Sequence, residues 1–179
     1  AALFFHFLLF KEVGVFVLKS GFGQYSVNDK NMKNVDEIRS WLLQIIERNE
    51  AYPLYQPILD IQSDRLFGYE ALLRVDAKYG LSPLDLFSMA KTAGMSYELD
   101  MSALQTAIRS YTAPEAKLFL NVLPSTLLHP QFFHDFQRLL HRSGMSGHQI
   151  MLEINEGEMV ANFEPLKERL QDLRKLNVS

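Results

Sequence analysis

The spacing of hydrophobic positions changes several times along the chain, and each change marks an element. Over residues 35–49, Val35, Ile38, Leu42, Ile45 and Ile46 recur at the three- and four-residue spacing of a helix face. Asp36 and Glu37 fall in its first turn, where the helix dipole favours acids. Residues 52–61, YPLYQPILDI, read as a strand, and Pro53 and Pro57 suit an edge or a bulge better than a central position. After the turn QSDR, strict alternation follows in GYEALLRV, residues 68–75. So short a connection forces the two strands antiparallel, because a parallel return needs a dozen or more residues.

Helices and strands then alternate. Ser82-Pro83-Leu84-Asp85 predicts a helix start with a capping box and proline at the first helical position, and Gly94 predicts its stop. A second helix is predicted from about Leu99 to Tyr111, a strand at 117–123 (KLFLNVL), and a helix around 131–142 ended by Gly144. A strand at 149–155 (QIMLEIN) and a helix at 163–176 complete the pattern. This alternation means an α/β fold with a parallel sheet, the opening hairpin being the exception. A full eight-stranded α/β barrel needs roughly 250 residues, and only about 130 follow Tyr52. The expectation is a partial TIM-type (β/α) barrel with an antiparallel first strand, truncated about halfway. The chain stops at Asn177-Val178-Ser179, where the next strand should begin, and so reads as a fragment.

The first 34 residues follow no such pattern. AALFFHFLLF is apolar apart from His6, Lys11 and Glu12 interrupt, and VGVFVL follows. The uninterrupted run is shorter than the roughly 18 residues a membrane helix wants, and no basic segment marks a signal peptide. A strand from upstream, or sequence foreign to the fold, is the favoured reading of residues 1–22, with 23–34 as a polar linker. Residues 35–179 form the expected domain.

Composition narrows the chemistry. The 179 residues are 47% hydrophobic with a net charge of −3, which suits a globular protein and gives no electrostatic footprint for a DNA or RNA duplex. With no cysteines, disulfides, zinc–thiolate sites and cysteine nucleophiles are excluded, and the chain is compatible with a reducing, cytoplasmic compartment. Any metal must be held by oxygen or histidine.

Three apolar strands each carry an oxygen-bearing side chain near the C-terminal end: Glu70, Asn121 and Glu153. In GYEALLRV, Glu70 shares its face with Leu72 and Arg74. Ligands of parallel α/β folds bind at the carboxyl ends of strands. Two carboxylates converging there would repel and raise one pKa unless a cation intervened. Two glutamates and an asparagine oxygen suit a hard ion such as Mg²⁺ or Mn²⁺. Taken singly, each also fits a solvated strand end or an amide bonded to a loop.

Other motifs carry less. His129, His134, His141 and His148 show no metal-binding spacing, and His134 and His141 read as surface residues of one helix face. Glu98 and Asp100 sit at a helix start, where the dipole explains them. Glu156 and Glu158 follow a strand end and read as solvated or as supporting groups. No P-loop, GxGxxG or GxSxG is present.

YQPILDIQSDRLFGYEALLRV, then GLSP, ELDMSALQTAI, LFLNVLPSTL and IMLEINEGEM, resemble in order and spacing the EAL domain, the cyclic di-GMP phosphodiesterase family, over about residues 36–179. The resemblance implies a modified TIM barrel with an antiparallel first strand. It implies Glu70, Asn121 and Glu153 as ligands of Mg²⁺ or Mn²⁺, and Gln56, Leu72 and Arg74 as contacts to cyclic di-GMP, with Arg74 near a phosphate. The implied reaction is metal-assisted hydrolysis to linear pGpG. The family's Asp-Asp segment and downstream lysine find no match within these residues, Leu123 stands where serine is common, and Asn155 where threonine is common. Three readings follow: a parent phosphodiesterase of which this chain carries half the site and is inactive alone, a degenerate module binding cyclic di-GMP or a protein partner, or a non-functional fragment. Open strand edges make the isolated chain poorly soluble or oligomeric, a homodimer included.

Overall fold

The computed structural model describes residues 34–155 and 164–179, and the backbone of 16–18. Apart from the backbone of 16–18, residues 1–22, together with 23–33 of the polar linker and Glu156 and Glu158, lie outside the described residues. Strand β1 (Phe16–Leu18) precedes helix α1 (Val35–Glu47), whose Asn34 cap accepts the Glu37 amide, and Leu42 and Ile45 turn inward. Strands β2 (Ala51–Asp60) and β3 (Arg65–Val75) form the antiparallel hairpin that the short turn requires, with a register shift at Ile58/Leu59 beside Pro57. Helix α2 (Pro83–Ala93) begins at the reciprocal Ser82–Asp85 capping box and ends at Gly94, whose φ of 66° an L side chain rarely adopts.

Helix α3 (Ser96–Ser110) starts three residues earlier than the sequence suggests, because the chain leaves Gly94 directly into a new helix, and Tyr111 is extended rather than helical. Strand β4 (Lys117–Val122) is followed at once by α4 (Pro124–Leu128), a helix the hydrophobic spacing did not reveal. Five residues are too few to show a helical period. Helix α5 (Phe132–Ser143) buries Phe132, Phe136, Leu139 and Leu140 and ends at Gly144. Strand β5 (Ile150–Asn155) and helix α6 (Glu164–Arg174) close the described chain.

The sheet runs β1-β5-β4-β3-β2, with β2 antiparallel to β3 and all other pairs parallel. Sequential strands are neighbours from β2 to β5, the arrangement of a barrel wall. Alternate residues of the wall, Ala71, Leu118, Leu120, Val122, Ile150, Leu152 and Ile154, form one core with Leu104, Phe132, Phe136 and Leu166 of the helices. A second core joins α1 and α2 to Ala51 and Val75 at the end of the hairpin. The protein is therefore a partial (β/α) barrel with an antiparallel first strand. Ser179 donates to Ile150 O at 3.2 Å and accepts from Leu152 N at 2.7 Å, so its backbone runs along the edge of β5 opposite β4. Among the described residues no helix is long and apolar enough to cross a membrane.

Candidate functional site

With one face of the wall committed to the helices, the other face carries the polar residues of the strands. Period-two alternation puts Glu70, Leu72 and Arg74 of β3, Asn121 of β4 and Glu153 of β5 there. The register brings them to neighbouring levels. Gln56 lies opposite Glu70 across the hairpin, Leu54 opposite Leu72 and Tyr52 opposite Arg74, while Asn121 is level with Glu153. Gln56 and Asn121 are exposed, Glu70, Leu72 and Arg74 half-buried, and Glu153 only 3% exposed.

Asn121 Nδ2 donates to Glu70 Oε1 at 2.8 Å, joining two of the three sequence-predicted ligands. Glu153 Oε2 is buried and has no hydrogen-bond partner among the described residues. Burial foremost, and then the nearby Glu70 carboxylate, push the Glu153 carboxyl up to about 7. A buried carboxylate without donors costs free energy that a cation would offset. Its unpartnered oxygen, the second carboxylate and the Asn121 amide fit a hard, oxygen-binding divalent ion. Among the described residues no three His, Asp or Glu side chains cluster as a metal site, so a cation here would rely on two carboxylates and an amide oxygen.

Strands β3 and β4 pair only as far as Ala71 and Leu120, whereas β3 runs on to Val75. Where they part, a cavity of about 450 Å³ opens. Leu72, Arg74, Asn121 and Leu123 line it from the strand ends, and Phe87 and Lys91 from α2. Arg74 Nη1 bonds to Leu73 O at 2.8 Å, which holds the guanidinium at the end of β3 beside this opening.

The sequence reading missed Asp100. It is not a dipole-stabilising acid at a helix start, because α3 begins four residues before it and its side chain is 2% exposed. Asp100 Oδ2 accepts from Leu123 N at 2.9 Å, and the residue lines the cavity. A signal was available: Asp100, Leu104 and Ala107 follow the i, i+4, i+7 stripe, so the acid interrupts an otherwise apolar face. His134, His141 and His148 are exposed, and His129 stacks on Tyr97 at 3.7 Å.

The EAL domain family model matches residues 39–179. An uncharacterized protein of Mycobacterium tuberculosis is 28% identical over 165 residues, covering 87% of this chain and 54% of its own length. The probable cyclic di-GMP phosphodiesterase PdeI of Escherichia coli is 29% identical over 171 residues, 88% of this chain and 22% of that protein. This chain thus spans about half, or less, of the length of these relatives. Among solved structures, the FimX EAL domain of Xanthomonas citri in complex with c-diGMP superposes with a TM-score of 0.68 at 19% identity, over 80% of this chain and 58% of that one. BlrP1 of Klebsiella pneumoniae in a manganese/cy-diGMP complex gives 0.62 at 25% identity, over 72% of this chain and 33% of that one.

Proposed function

Because the chain belongs to the EAL domain family, we propose that it binds cyclic di-GMP at the strand-end face and supplies one wall of a metal-dependent phosphodiesterase site that releases linear pGpG. The observation that carries this reading is the buried, unpartnered Glu153 Oε2 facing a second carboxylate, Glu70. Glu70, Asn121 and Glu153 would hold Mg²⁺ or Mn²⁺. With such an ion bound, the chemistry supplied is polarisation of a phosphoryl oxygen and a more acidic water.

The protein's own residues do the rest. Arg74 lines the cavity with Nη1 on the Leu73 carbonyl, and a guanidinium there pairs well with a phosphodiester oxygen. Leu72 and Phe87 offer apolar surface to a base. Gln56, opposite Glu70 on the same face, offers a second amide to the ligand. The domain is taken as residues 35–179, to which the Phe16–Leu18 strand adds at the edge of β5 opposite β4. The manganese/cy-diGMP complex of BlrP1 and the likeness to PdeI support the substrate and the metal class.

A second reading, binding without turnover, is favoured by Leu123. It stands two residues beyond Asn121, where the family commonly has serine, and offers the ion's surroundings no hydroxyl. Isothermal titration of the 179-residue chain with Mn²⁺ and then cyclic di-GMP tests binding, and pGpG release tests turnover. Binding of both, with Mn²⁺ binding lost in Glu153→Gln, is expected. Failure of the wild-type chain to bind Mn²⁺ would overturn the metal site.

A further inference from the structure

We propose that Asp100 is a positioning residue for the cation site, acting through the backbone of Leu123 on Asn121. The inference rests on the reading of Glu70, Asn121 and Glu153 as cation ligands. Asp100 belongs to α3, in the crossover between β3 and β4. Its carboxylate is 2% exposed and accepts the Leu123 amide at 2.9 Å. Leu123 is the hinge between β4 and α4, the last extended residue before Pro124 begins the helix.

On its β3 side that junction has no strand partner. The β3–β4 ladder stops at Leu120, so Asn121 has no β3 neighbour to hold its backbone on that side. Neither a side-chain cap nor a long helix steadies the start of α4, which is five residues long. The Asp100 bond therefore pins the chain two residues beyond Asn121 to the buried face of α3. With β5 on one side and Asp100 ahead, the Asn121 amide is held where it meets Glu70 Oε1 at 2.8 Å. A charged acceptor bonds a backbone N–H more strongly than a neutral one. Groups that orient ligands in this way commonly set metal affinity by about ten- to a hundredfold.

The bond can be removed from either partner. Asp100→Ala deletes the acceptor. Leu123→Pro deletes the donor; Leu123 already has φ −74° and ψ 141°, values proline adopts, and the ring Cδ, standing where the amide hydrogen did, also pushes the Asp100 carboxylate aside, a clash that the combination with Asp100→Ala relieves. Mn²⁺ affinity of the 179-residue chain is measured by electron paramagnetic resonance for the wild type, both variants, their combination, Asp100→Asn, and Asn121→Ala as the reference for direct ligand loss. Asp100→Ala and Leu123→Pro are each expected to weaken Mn²⁺ binding about tenfold. The combination should be no worse than the poorer single variant by more than about twofold, because both remove one bond. Asp100→Asn, which keeps an acceptor, should stay within about threefold of wild type.

Additive losses in the combination, or unchanged Mn²⁺ affinity in Asp100→Ala with only a lower melting temperature, would overturn the positioning role. If Asp100→Ala does not fold, Leu123→Pro and Asp100→Asn decide: wild-type affinity in Leu123→Pro overturns the proposal. No Mn²⁺ binding by the wild type, or none lost in Asn121→Ala, would instead overturn the ligand reading itself.

Discussion

Asn121 Nδ2 and Glu70 Oε1 meet at 2.8 Å just beyond the point where the ladder between their strands ends. The amide here takes the place of a backbone pair, and it neutralises part of the repulsion that Glu70 would otherwise direct at Glu153. Replacing Asn121 by aspartate removes the donor and adds a third carboxylate. Without divalent cation, Asn121→Asp is expected to lose about 1–2 kcal/mol of stability, seen as a lower melting temperature. Added Mn²⁺ should raise that temperature more in the variant than in the wild type. An equal rise in both would count against Asn121 standing at the ion.

Glu153 sets a pH dependence whose sign is fixed. Its carboxyl, ordinarily near 4.5, is raised to about 7 by burial and by Glu70. The folded protein thus holds a proton that the unfolded chain releases between those values. Its contribution to stability is complete below about 4.5 and is lost as the pH rises to about 7. Urea midpoints in chelator should fall across that window, and Glu153→Gln should flatten the fall and be more stable at pH 8 by roughly 3 kcal/mol. Mn²⁺ affinity should run the opposite way, rising with pH to about 7 and then levelling, because the ligating form is the carboxylate. A flat urea profile in the wild type would contradict the buried, raised carboxyl.

Gly68 lies where β3 begins to pair with β4. A Cβ there would sit 2.6 Å from Lys117 O and 2.9 Å from the Phe119 ring, and the first of these is backbone that cannot swing aside. Since Gly68 and Lys117 are register partners, the strain would fall on the short ladder that carries Glu70 to Asn121. Gly68→Ala is expected to cost about 1–3 kcal/mol by urea denaturation and to weaken Mn²⁺ binding as well. Loss of stability with unchanged Mn²⁺ affinity would show that the ladder absorbs the shift without moving the site.

Much of this was legible in the sequence because periodicity and turn chemistry agree. The four-residue turn dictated the antiparallel hairpin, Ser82-Pro83 and Gly94 bounded α2, and the strand parity of Glu70, Asn121 and Glu153 put all three on the face away from the helices. The Glu153 carboxyl is raised first by burial, which strand parity alone does not reveal, and only second by the neighbouring Glu70. What stayed hidden depends on contacts between distant segments. Asp100 reads as a helix-start acid until α3 is seen to begin at Ser96, and its bond to Leu123 spans 23 residues. The cavity where β3 and β4 part has no local signature, since it arises from unequal strand lengths in the assembled wall.

Arg74 separates binding of the phosphate from binding of the ion. It stands four residues beyond Glu70 on the same strand face and lines the cavity, with its guanidinium resting on the neighbouring Leu73 carbonyl. That bond is a local one that a phosphodiester oxygen can replace without moving the strand. Arg74→Ala should therefore weaken cyclic di-GMP binding by about ten- to a hundredfold, the size of a lost charged hydrogen bond. Mn²⁺ affinity and melting temperature should hardly change. Arg74→Lys should recover only part of the loss, since an ammonium cannot reproduce the paired donors of the guanidinium. Calorimetry with Mn²⁺ alone, and with cyclic di-GMP over saturating Mn²⁺, distinguishes the two. Equal losses in both titrations would mean that Arg74 supports the strand rather than the phosphate.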